Sequence, residues 1–413
     1  MSKIDNILRS QYTYVVSITG LLVMLPLLHG FSTGALIVLL AVTLASVRYH
    51  KVEFKREFVF PILFYLLMVV SLLWSDNIKA SSRGLERQLA LLLIPLAFAF
   101  MPSITKKTRN IILYYFSLGM SLFAFFFMGR SLAAYITEQD QGVFFYHSLV
   151  APLGLNAIYI SVFVSLCILF MLFNQKRSLI TILVIGVLSI FLLLLSSKII
   201  IVATSILGVF GAIRNFKRST VFKLILVILG GMMLLLFTSN PIKQRFEREI
   251  SVSNVKEVLE SERFNKVYDW TGTTIRLFQA RIFSEMLRED GIFLTGYGIS
   301  NSEDKIIKKQ KEYNLWQGYY TYNFHNQYIQ AFAELGIFGL LFLFLMLGVI
   351  LRQYIRDKDI LFLSLFFIMF VIFITESYIW RQRGLYHFLI LYCLYFKTIP
   401  INRSHNKIET NSH

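Results

Sequence analysis

The amino-acid sequence predicts an all-α polytopic membrane protein with about twelve transmembrane helices and a large helical external loop between spans 9 and 10. Of the residues, 56% are hydrophobic and only 16% are charged, whereas a soluble domain carries about 25% charged residues. Long apolar runs alternate with short charged connectors, which is typical of membrane proteins rather than of large soluble cores. One polar segment late in the chain is much longer than the other connectors.

The apolar segments divide the chain, although several are shorter than the roughly 20 residues that cross a bilayer unaided. They cover residues 13–29, 33–48, 58–74, 88–101, 111–134, 156–173, 179–195, 199–213, 220–238, 336–351, 360–375 and 385–397. We assign spans 1–9 to residues 1–238, the external loop to 239–335, and spans 10–12 with a cytoplasmic tail to 336–413. The two segments on either side of Ser196 and Ser197 could instead form one long span.

Basic residues are concentrated in the connectors that follow even-numbered spans, and both termini are basic as well. These connectors contain Arg48, Lys51, Lys55, Arg56, Lys106, Lys107, Arg109, Lys176, Arg177, Arg214, Lys217, Arg218, Arg352, Arg356 and Lys358. Because Lys and Arg favour cytoplasmic loops, we expect both termini in the cytoplasm and the long loop outside. The same bias explains much of the formal net charge of +17, so no nucleic-acid partner is expected.

The sequence contains no recognisable nucleotide or metal motif. The cytoplasmic connectors are short and have no glycine-rich phosphate loop, and the histidines are scattered. We therefore expect no cofactor and no metal. Cys167 and Cys393 both lie in apolar runs, so no disulfide can hold the external loop, and its order is expected to come from packing against the membrane domain. A long loop without a disorder-prone composition is usually functional.

One predicted helix of the loop carries an arginine in its first turn. Thr273 or Thr274 is a suitable N-cap, after a mixed-charge stretch at residues 243–263 that reads as a solvated helix. The positions that share one face are Arg276, Ala280, Phe283 and Leu287. Free backbone N–H groups and the Arg276 guanidinium could converge there on an anion, or the arginine could snorkel or pair with a carboxylate. Arg281 points elsewhere and is the weaker candidate.

A second predicted helix of the loop follows a glycine turn at residues 296–298 and leads into span 10. Its apolar stripe consists of Tyr328, Ile329, Phe332 and Leu335, and its polar face consists of Gln327, Gln330 and Glu334. This pattern predicts an amphipathic helix that lies at the outer membrane surface. His325 precedes it on the inward side, either as a satisfied interfacial residue or as a general base.

Further charged residues lie near the predicted outer ends of spans. They are Arg83, Arg87, Arg130, Lys198, Glu376, Arg381 and Arg383. Each alone could be an interfacial residue that snorkels, but together they predict a basic outer vestibule. Such a vestibule suits a doubly negative group such as a pyrophosphate.

The sequence resembles the O-antigen ligase and O-antigen polymerase superfamily of bacterial envelope glycosyltransferases. The resemblance is clearest in HNQYIQ at residues 325–330 with ELGIFG at 334–339, and further matches are TIR at 274–276, IFLTGYG at 292–298, LLWS at 72–75, ES at 376–377 and RQRG at 381–384. Two positions depart from the family pattern. Lys198 stands where the family often has Arg, and Asn156 stands where a His is common.

The resemblance implies an inverting, metal-independent transfer of a glycan from undecaprenyl pyrophosphate to an acceptor hydroxyl, at the periplasmic face of the bacterial inner membrane. An O-antigen ligase would use lipid A core as acceptor, a polymerase would use another lipid-linked glycan, and a lipid-linked glycan flippase is the alternative of another class. We expect membrane lipids around the protein, and the resemblance favours the ligase slightly.

The resemblance also assigns roles to the candidate residues. We expect Arg276 to bind the pyrophosphate, assisted by Lys198 and by Arg83 or Arg87, and His325 to act as general base. Residues of possible support are Glu376, Arg383, Tyr328 and Arg281. Because Lys lacks the bidentate fork of Arg, Lys198 departs from the family pattern by offering a single point charge at this position.

Overall fold

The computed structural model describes residues 5, 8, 10–237 and 241–399. About 79% of it is helical with almost no strand, which confirms the all-α class. The predictions for residues 1–4, for the start of the external loop at 239–240 and for the tail at 400–413 lie outside the described residues.

Each predicted apolar segment coincides with one helix over the described residues. The helices are Gln11–Met24, His29–Ser46, Val59–Val70, Ala90–Phe100, Lys106–Glu138, Ala157–Asn174, Leu179–Leu194, Lys198–Asn215, Arg218–Phe237, Gln327–Asp357, Ile360–Thr375 and Gln382–Lys397. Among the residues that the structure describes, 6 helices are long and apolar enough to cross a membrane, and three shorter ones are also apolar. The membrane class is thus supported, and the number of about twelve spans stays a prediction.

Shorter elements connect these helices. The short α-helices are Ile78–Gln88, Tyr146–Val150, Pro241–Val252, Val255–Glu260, Gly272–Glu289 and Ser302–Glu312. The 3-10 turns are Val47–Tyr49, Arg56–Phe58, Ser71–Trp74, Gln141–Phe144, Ala151–Leu153, Gln317–Tyr319 and Tyr378–Trp380, and the two strands are Ile104–Thr105 and Thr398–Ile399. Ser196 has a φ of 53°, a left-handed conformation that ends one helix before Lys198–Asn215 begins, so this region forms two helices.

The centre of the membrane domain is the helix Ala157–Asn174, which we call the buried helix. Its most extensive contacts are with Lys106–Glu138, Leu179–Leu194, Lys198–Asn215 and Ile360–Thr375. Almost every side chain of the buried helix is apolar, and 83% of it is buried. A helix that is hydrophobic on all sides requires such an enclosed position.

The connectors that share the predicted cytoplasmic side meet at one end of the helices. Arg109 is buried, and its Nη1 donates to Asp359 Oδ2 over 2.8 Å. Strand Ile104–Thr105 pairs in parallel with Thr398–Ile399 at the same end. The structure therefore agrees with the grouping of connectors, while the orientation of the chain in the membrane stays a prediction.

The external loop has a hydrophobic core of its own. Its buried members are Val258, Phe264, Ile275, Phe278, Ile282, Met286, Ile292, Tyr297, Ile306, Leu315, Phe324 and Ala333. The expectation that the loop would be ordered by the membrane domain alone was therefore incomplete. Aromatic rings such as Phe264, Phe278 and Tyr313 bring enough apolar area together to order the loop without a disulfide.

The start of the helix Gln327–Asp357 was predicted to lie at the membrane surface with its polar face outward, and this prediction is wrong for the polar face, which is buried. The helix bends at Gly336, whose φ of 63° is left-handed, and its first turns bury the polar side chains of Gln327, Gln330 and Glu334. These groups are tolerated inside because they find polar partners. Ser302 and the backbone N–H of Asn301 donate to Glu334. The polar face therefore joins this helix to the loop and does not face water.

Candidate active site

The helix Gly272–Glu289, which we call the arginine helix, begins two or three residues earlier than predicted. Thr271 is the N-cap, and its side chain and that of Thr274 form a reciprocal capping box. The fully buried stripe is Ile275, Phe278, Gln279, Ile282 and Met286, one position away from the predicted face. Arg276 consequently lies at the edge of the buried stripe, with its side chain 27% exposed.

The guanidinium of Arg276 joins the start of the arginine helix to the connector at Thr375 and Glu376. Its Nε donates to the carbonyl of Thr375 over 2.7 Å, and its Nη1 donates to the carbonyl of Gly272 over 2.7 Å. Its Nη2 donates to Oε1 of Glu376 over 2.9 Å. The planar fork is held in one orientation by these contacts, and its remaining N–H groups can serve a ligand.

His325 lies in a constrained turn before the helix Gln327–Asp357. Its φ is 46°, and its backbone N–H donates to the side-chain oxygen of Asn323. The next residue, Asn326, caps the helix through Ile329 and donates to the carbonyl of Ile374 over 3.1 Å. The turn is therefore attached to the end of the neighbouring helix, which fixes the place of the imidazole.

Glu376 connects the arginine and the histidine. The carboxylate is buried, with Oε1 on Arg276 and Oε2 3.4 Å from Nδ1 of His325. Burial acts to raise the pKa of Glu376, but the hydrogen bond from His325 and the charge of Arg276 act against burial, and the pKa lies below its ordinary value. An ionised carboxylate can only accept, so Nδ1 of His325 carries the proton that it donates to Glu376.

The other ring nitrogen of His325 is available for chemistry. Its Nε2 is buried and has no hydrogen-bond partner among the described residues. With the proton fixed on Nδ1, a neutral imidazole presents a lone pair at Nε2, which is the form required of a general base. The ring of Tyr322 packs edge-on against the imidazole at 5.0 Å between centroids, so this ring must shift for a substrate to reach Nε2.

A cavity of ≈ 360 Å³ lies beside Arg276. Its polar lining includes Ser196, Ser197, Lys198, Glu249, Thr273 and Arg276, and Thr375 forms part of the wall. Arg276 and Lys198 are 78 positions apart in the sequence, and the structure brings them to one cavity as the sequence predicted. This cavity is the place where an anionic substrate group would meet both cations.

Glu249 is a member of the site that sequence reasoning missed. Its Oε1 accepts the backbone N–H of Thr273 over 2.6 Å, and its Oε2 lies 3.5 Å from Nζ of Lys198. Burial acts to raise the pKa of Glu249, but the hydrogen bonds from Thr273 and the charge of Lys198 leave it below its ordinary value. The chain's own carboxylate thus occupies the N-terminus of the arginine helix, the position where an external anion was predicted.

Arg83 and Arg87 do not line this cavity. Both are exposed on the helix Ile78–Gln88, and Nη1 of Arg87 lies 3.9 Å from Glu303. Arg281 is also elsewhere, because it donates to Glu285, Tyr313 and two backbone carbonyls inside the loop. None of these three arginines lies beside Arg276. Arg83 and Arg87 lie on the surface of the helix Ile78–Gln88, and Arg281 lies inside the loop.

The remaining predicted residues lie on either side of Glu376. The hydroxyl of Tyr328 donates a hydrogen bond to the carbonyl of Phe370. It thereby connects the helix Gln327–Asp357 to the helix Ile360–Thr375, which ends directly before Glu376. Arg383 donates to the carbonyls of Leu25 and Leu27 and lines a different cavity. Tyr328 can therefore support the site directly, whereas Arg383 belongs to another region.

Comparison with known proteins gives one result for this region. Residues 183–344 match a family model described as O-Antigen ligase. The matched range contains Lys198, Glu249, Arg276 and His325, and Glu376 lies beyond its end. No curated protein matched the chain.

Proposed function

We propose that the chain transfers a glycan from undecaprenyl pyrophosphate to an acceptor hydroxyl, and the match of residues 183–344 to a family model described as O-Antigen ligase supports this proposal. The reaction would take place at the periplasmic face of the bacterial inner membrane. One observation carries the proposal, namely the contact of Glu376 with both Arg276 and His325. This contact links Arg276, which can bind an anionic leaving group, to His325, which can accept a proton.

The cavity beside Arg276 is the proposed site of the pyrophosphate. Arg276 and Lys198 both line it, and the phosphate would displace Glu249 from Lys198 and from the N–H of Thr273. As the sugar–phosphate bond breaks, negative charge grows on the leaving oxygen, and fixed cations in a partly enclosed site stabilise that charge. Two cations at one cavity can supply this stabilisation without a metal ion.

His325 is the proposed general base. Nε2 takes the proton of the acceptor hydroxyl while the acceptor oxygen forms a bond to the anomeric carbon. The bond from that carbon to the pyrophosphate oxygen breaks, and its electron pair leaves with the undecaprenyl pyrophosphate. Glu376 stabilises the imidazolium that forms and keeps its proton on Nδ1. Direct displacement inverts the anomeric configuration.

A row of aromatic rings supports a glycan close to His325. Ring centroids lie 6.1 Å apart between Trp316 and Tyr319, and 5.3 Å apart between Tyr319 and Tyr322. Trp316 and Tyr322 are 53% and 37% exposed. Exposed rings with apolar faces and a polar edge suit the mixed surface of a sugar, so we place part of the glycan along this row.

The acceptor is proposed to be lipid A core, as for an O-antigen ligase, in keeping with the description of the matching family. Analysis of carrier-linked glycans in a strain that lacks the protein tests this choice. Long lipid-linked glycan that remains unattached is the result expected for a ligase. Accumulation of single repeat units would indicate a polymerase instead, and donor trapped on the cytoplasmic side would indicate a flippase and contradict the transfer reaction.

A further inference from the structure

A second cavity, of ≈ 270 Å³, lies at the predicted outer end of the helices on another side of the buried helix. Its lining consists of His29, Gly154, Leu155, Asn156, Tyr159, Ile160, Arg381 and Arg383. We call it the arginine-pair cavity. The mechanism above uses none of these residues.

The arginine-pair cavity contains two guanidinium groups and no carboxylate in its lining. Arg383 is partly buried, and its side chain donates to the neutral carbonyls of Leu25 and Leu27. Arg381 has no hydrogen bond from its side chain and no ion pair with any residue in the described part of the chain. Arg381 is exposed and Arg383 is only partly buried, so an anion that enters the cavity meets two cations whose charge no carboxylate of the lining offsets.

Three helices begin at this cavity, which adds to its positive potential. His29 is the first residue of His29–Ser46, Arg381 is the N-cap of Gln382–Lys397, and Asn156 is the N-cap of the buried helix. No side chain caps the first two of these helices. Their free N–H groups and helix dipoles reinforce the two arginines, whose planar forks match the oxygens of a phosphate.

Neighbouring residues of the buried helix line the arginine-pair cavity and the cavity of the proposed active site. Ile158 lines the cavity beside Arg276, whereas Asn156 and Tyr159 line the arginine-pair cavity, so the first turn of the buried helix separates the two. The hydroxyl of Tyr159 donates to the carbonyl of Ser377, next to Glu376. The two cavities therefore both involve the first turn of the buried helix, and Tyr159 links the arginine-pair cavity to the connector that holds Glu376.

We propose that the arginine-pair cavity binds a phosphate group of the lipid-linked acceptor. The inference rests on the proposed transfer reaction and adds to it the chemical class of the acceptor, an amphiphile with a phosphate near its lipid–water boundary. The cavity of ≈ 270 Å³ has room for a phosphate group, and Leu155 and Ile160 form part of its apolar lining.

The test measures lipid binding on the full chain in detergent by native mass spectrometry. Phosphatidic acid is the lipid probe, and inorganic phosphate is the free-anion probe. Arg381→Gln removes a charge without removing a contact described above, and Arg288→Gln, an exposed arginine on the arginine helix, is the matched control. We expect Arg381→Gln to weaken phosphatidic acid binding about tenfold, the control to change nothing, and free phosphate to bind more weakly than the lipid.

A second variant distinguishes a specific loss of lipid binding from a folding defect of Arg381→Gln. Asn156→Asp keeps an efficient N-cap but places a carboxylate in the cavity, so it should weaken phosphatidic acid binding at least as much as Arg381→Gln does. Asn254→Asp makes the same change at the N-cap of Val255–Glu260 and is its control. Unchanged lipid binding in both cavity variants, or binding of free phosphate as tight as that of the lipid, would overturn the inference.

A transfer assay then separates the acceptor from bulk membrane lipid. We expect Arg381→Gln to raise the KM for the acceptor about tenfold and to leave kcat and the KM for the donor within about twofold. Loss of phosphatidic acid binding with an unchanged acceptor KM would identify a site for bulk phospholipid and would overturn the acceptor assignment. If the wild type transfers nothing, the proposed reaction fails, while the binding measurements still decide whether the cavity holds phosphate.

Discussion

Nη2 of Arg276 donates to Oε1 of Glu376 over 2.9 Å, although 100 positions separate the two residues. The contact connects the external loop to the last connector between membrane helices. Because the second oxygen of Glu376 is 3.4 Å from His325, a change at either partner is transmitted to the other. Arg276 and His325 are thus expected to behave as one unit in mutational experiments.

The first prediction concerns His325. We expect His325→Ala to reduce the rate of glycan transfer about 10²- to 10⁴-fold, the usual effect of removing a general base. Donor binding should change less than the transfer rate does, because the imidazole does not line the cavity beside Arg276 and acts on it only through Glu376. The measurement is transfer by purified protein, with His50→Ala at the predicted cytoplasmic end as control. Transfer by His325→Ala at the wild-type rate would remove His325 from the mechanism.

The second prediction concerns the guanidinium fork of Arg276. Arg276→Lys keeps the positive charge but cannot reach Thr375, Gly272 and Glu376 together. We expect about a 10- to 100-fold loss in kcat, because the charge is no longer held where the leaving group develops. Arg288→Lys makes the same change at an exposed position of the arginine helix and should be neutral. If both variants kept full activity, charge alone would suffice.

The third prediction follows from the lowered pKa of Glu376. A carboxyl whose pKa is depressed in the folded state stabilises the fold above its unfolded pKa, and this contribution is lost as pH falls through the folded pKa. At pH 7 we expect Glu376→Gln to lower the free energy of unfolding by about 1–3 kcal/mol. The difference should narrow as pH falls below the ordinary carboxyl pKa of about 4.3, and it should close once pH is below the lowered pKa of Glu376 in the folded protein.

Thermal unfolding in one detergent at pH 7 and at pH 3 measures this difference. Glu303→Gln, which changes an exposed carboxyl that lies 3.9 Å from Arg87, is the control and should show little effect at either pH. A gap of equal size at both pH values would mean that Glu376 stabilises the fold through its shape and not through its charge.

The fourth prediction concerns Glu249, which occupies the groups assigned to the donor phosphate. Glu249→Gln removes a negative charge that must otherwise be displaced from Lys198 and Thr273. We expect inorganic pyrophosphate, used as a probe, to bind about three- to tenfold more tightly to this variant. Glu247→Gln alters a more exposed carboxyl on the same helix and is the matched control. Weaker binding would instead mean that Glu249 positions Lys198 for the phosphate.

Local patterns predicted much of the fold. Apolar runs gave the positions of the membrane helices, and glycines gave the turn at residues 296–298, where φ is 65° at Gly296 and 88° at Gly298. Both properties depend on residues that are adjacent in the sequence. The predicted outer charges of Arg276 and Lys198 also came together, because both lie at ends of helices on the same side.

The features that escaped prediction depend on partners that are distant in the sequence. Glu249 looked solvated, because its partner Lys198 is 51 positions away. The polar face of the helix Gln327–Asp357 was predicted to be exposed, because its hydrogen-bond partner is distant in the sequence. At Glu334 this partner is Ser302, 32 positions away. A single sequence shows which groups need partners but not where those partners lie, so polar residues at a tertiary contact are assigned to water by default.

Transfer by the reconstituted wild-type protein tests the central claim most directly. The assay combines the protein with an undecaprenyl-pyrophosphate-linked glycan and an acceptor, in buffer with EDTA and without nucleotide. We predict that attached glycan and free undecaprenyl pyrophosphate appear in equal amounts, and that His325→Ala and Arg276→Ala form neither above about 1% of the wild-type rate. Absence of transfer by the wild type, or full transfer by both variants, would contradict the proposed function of this site.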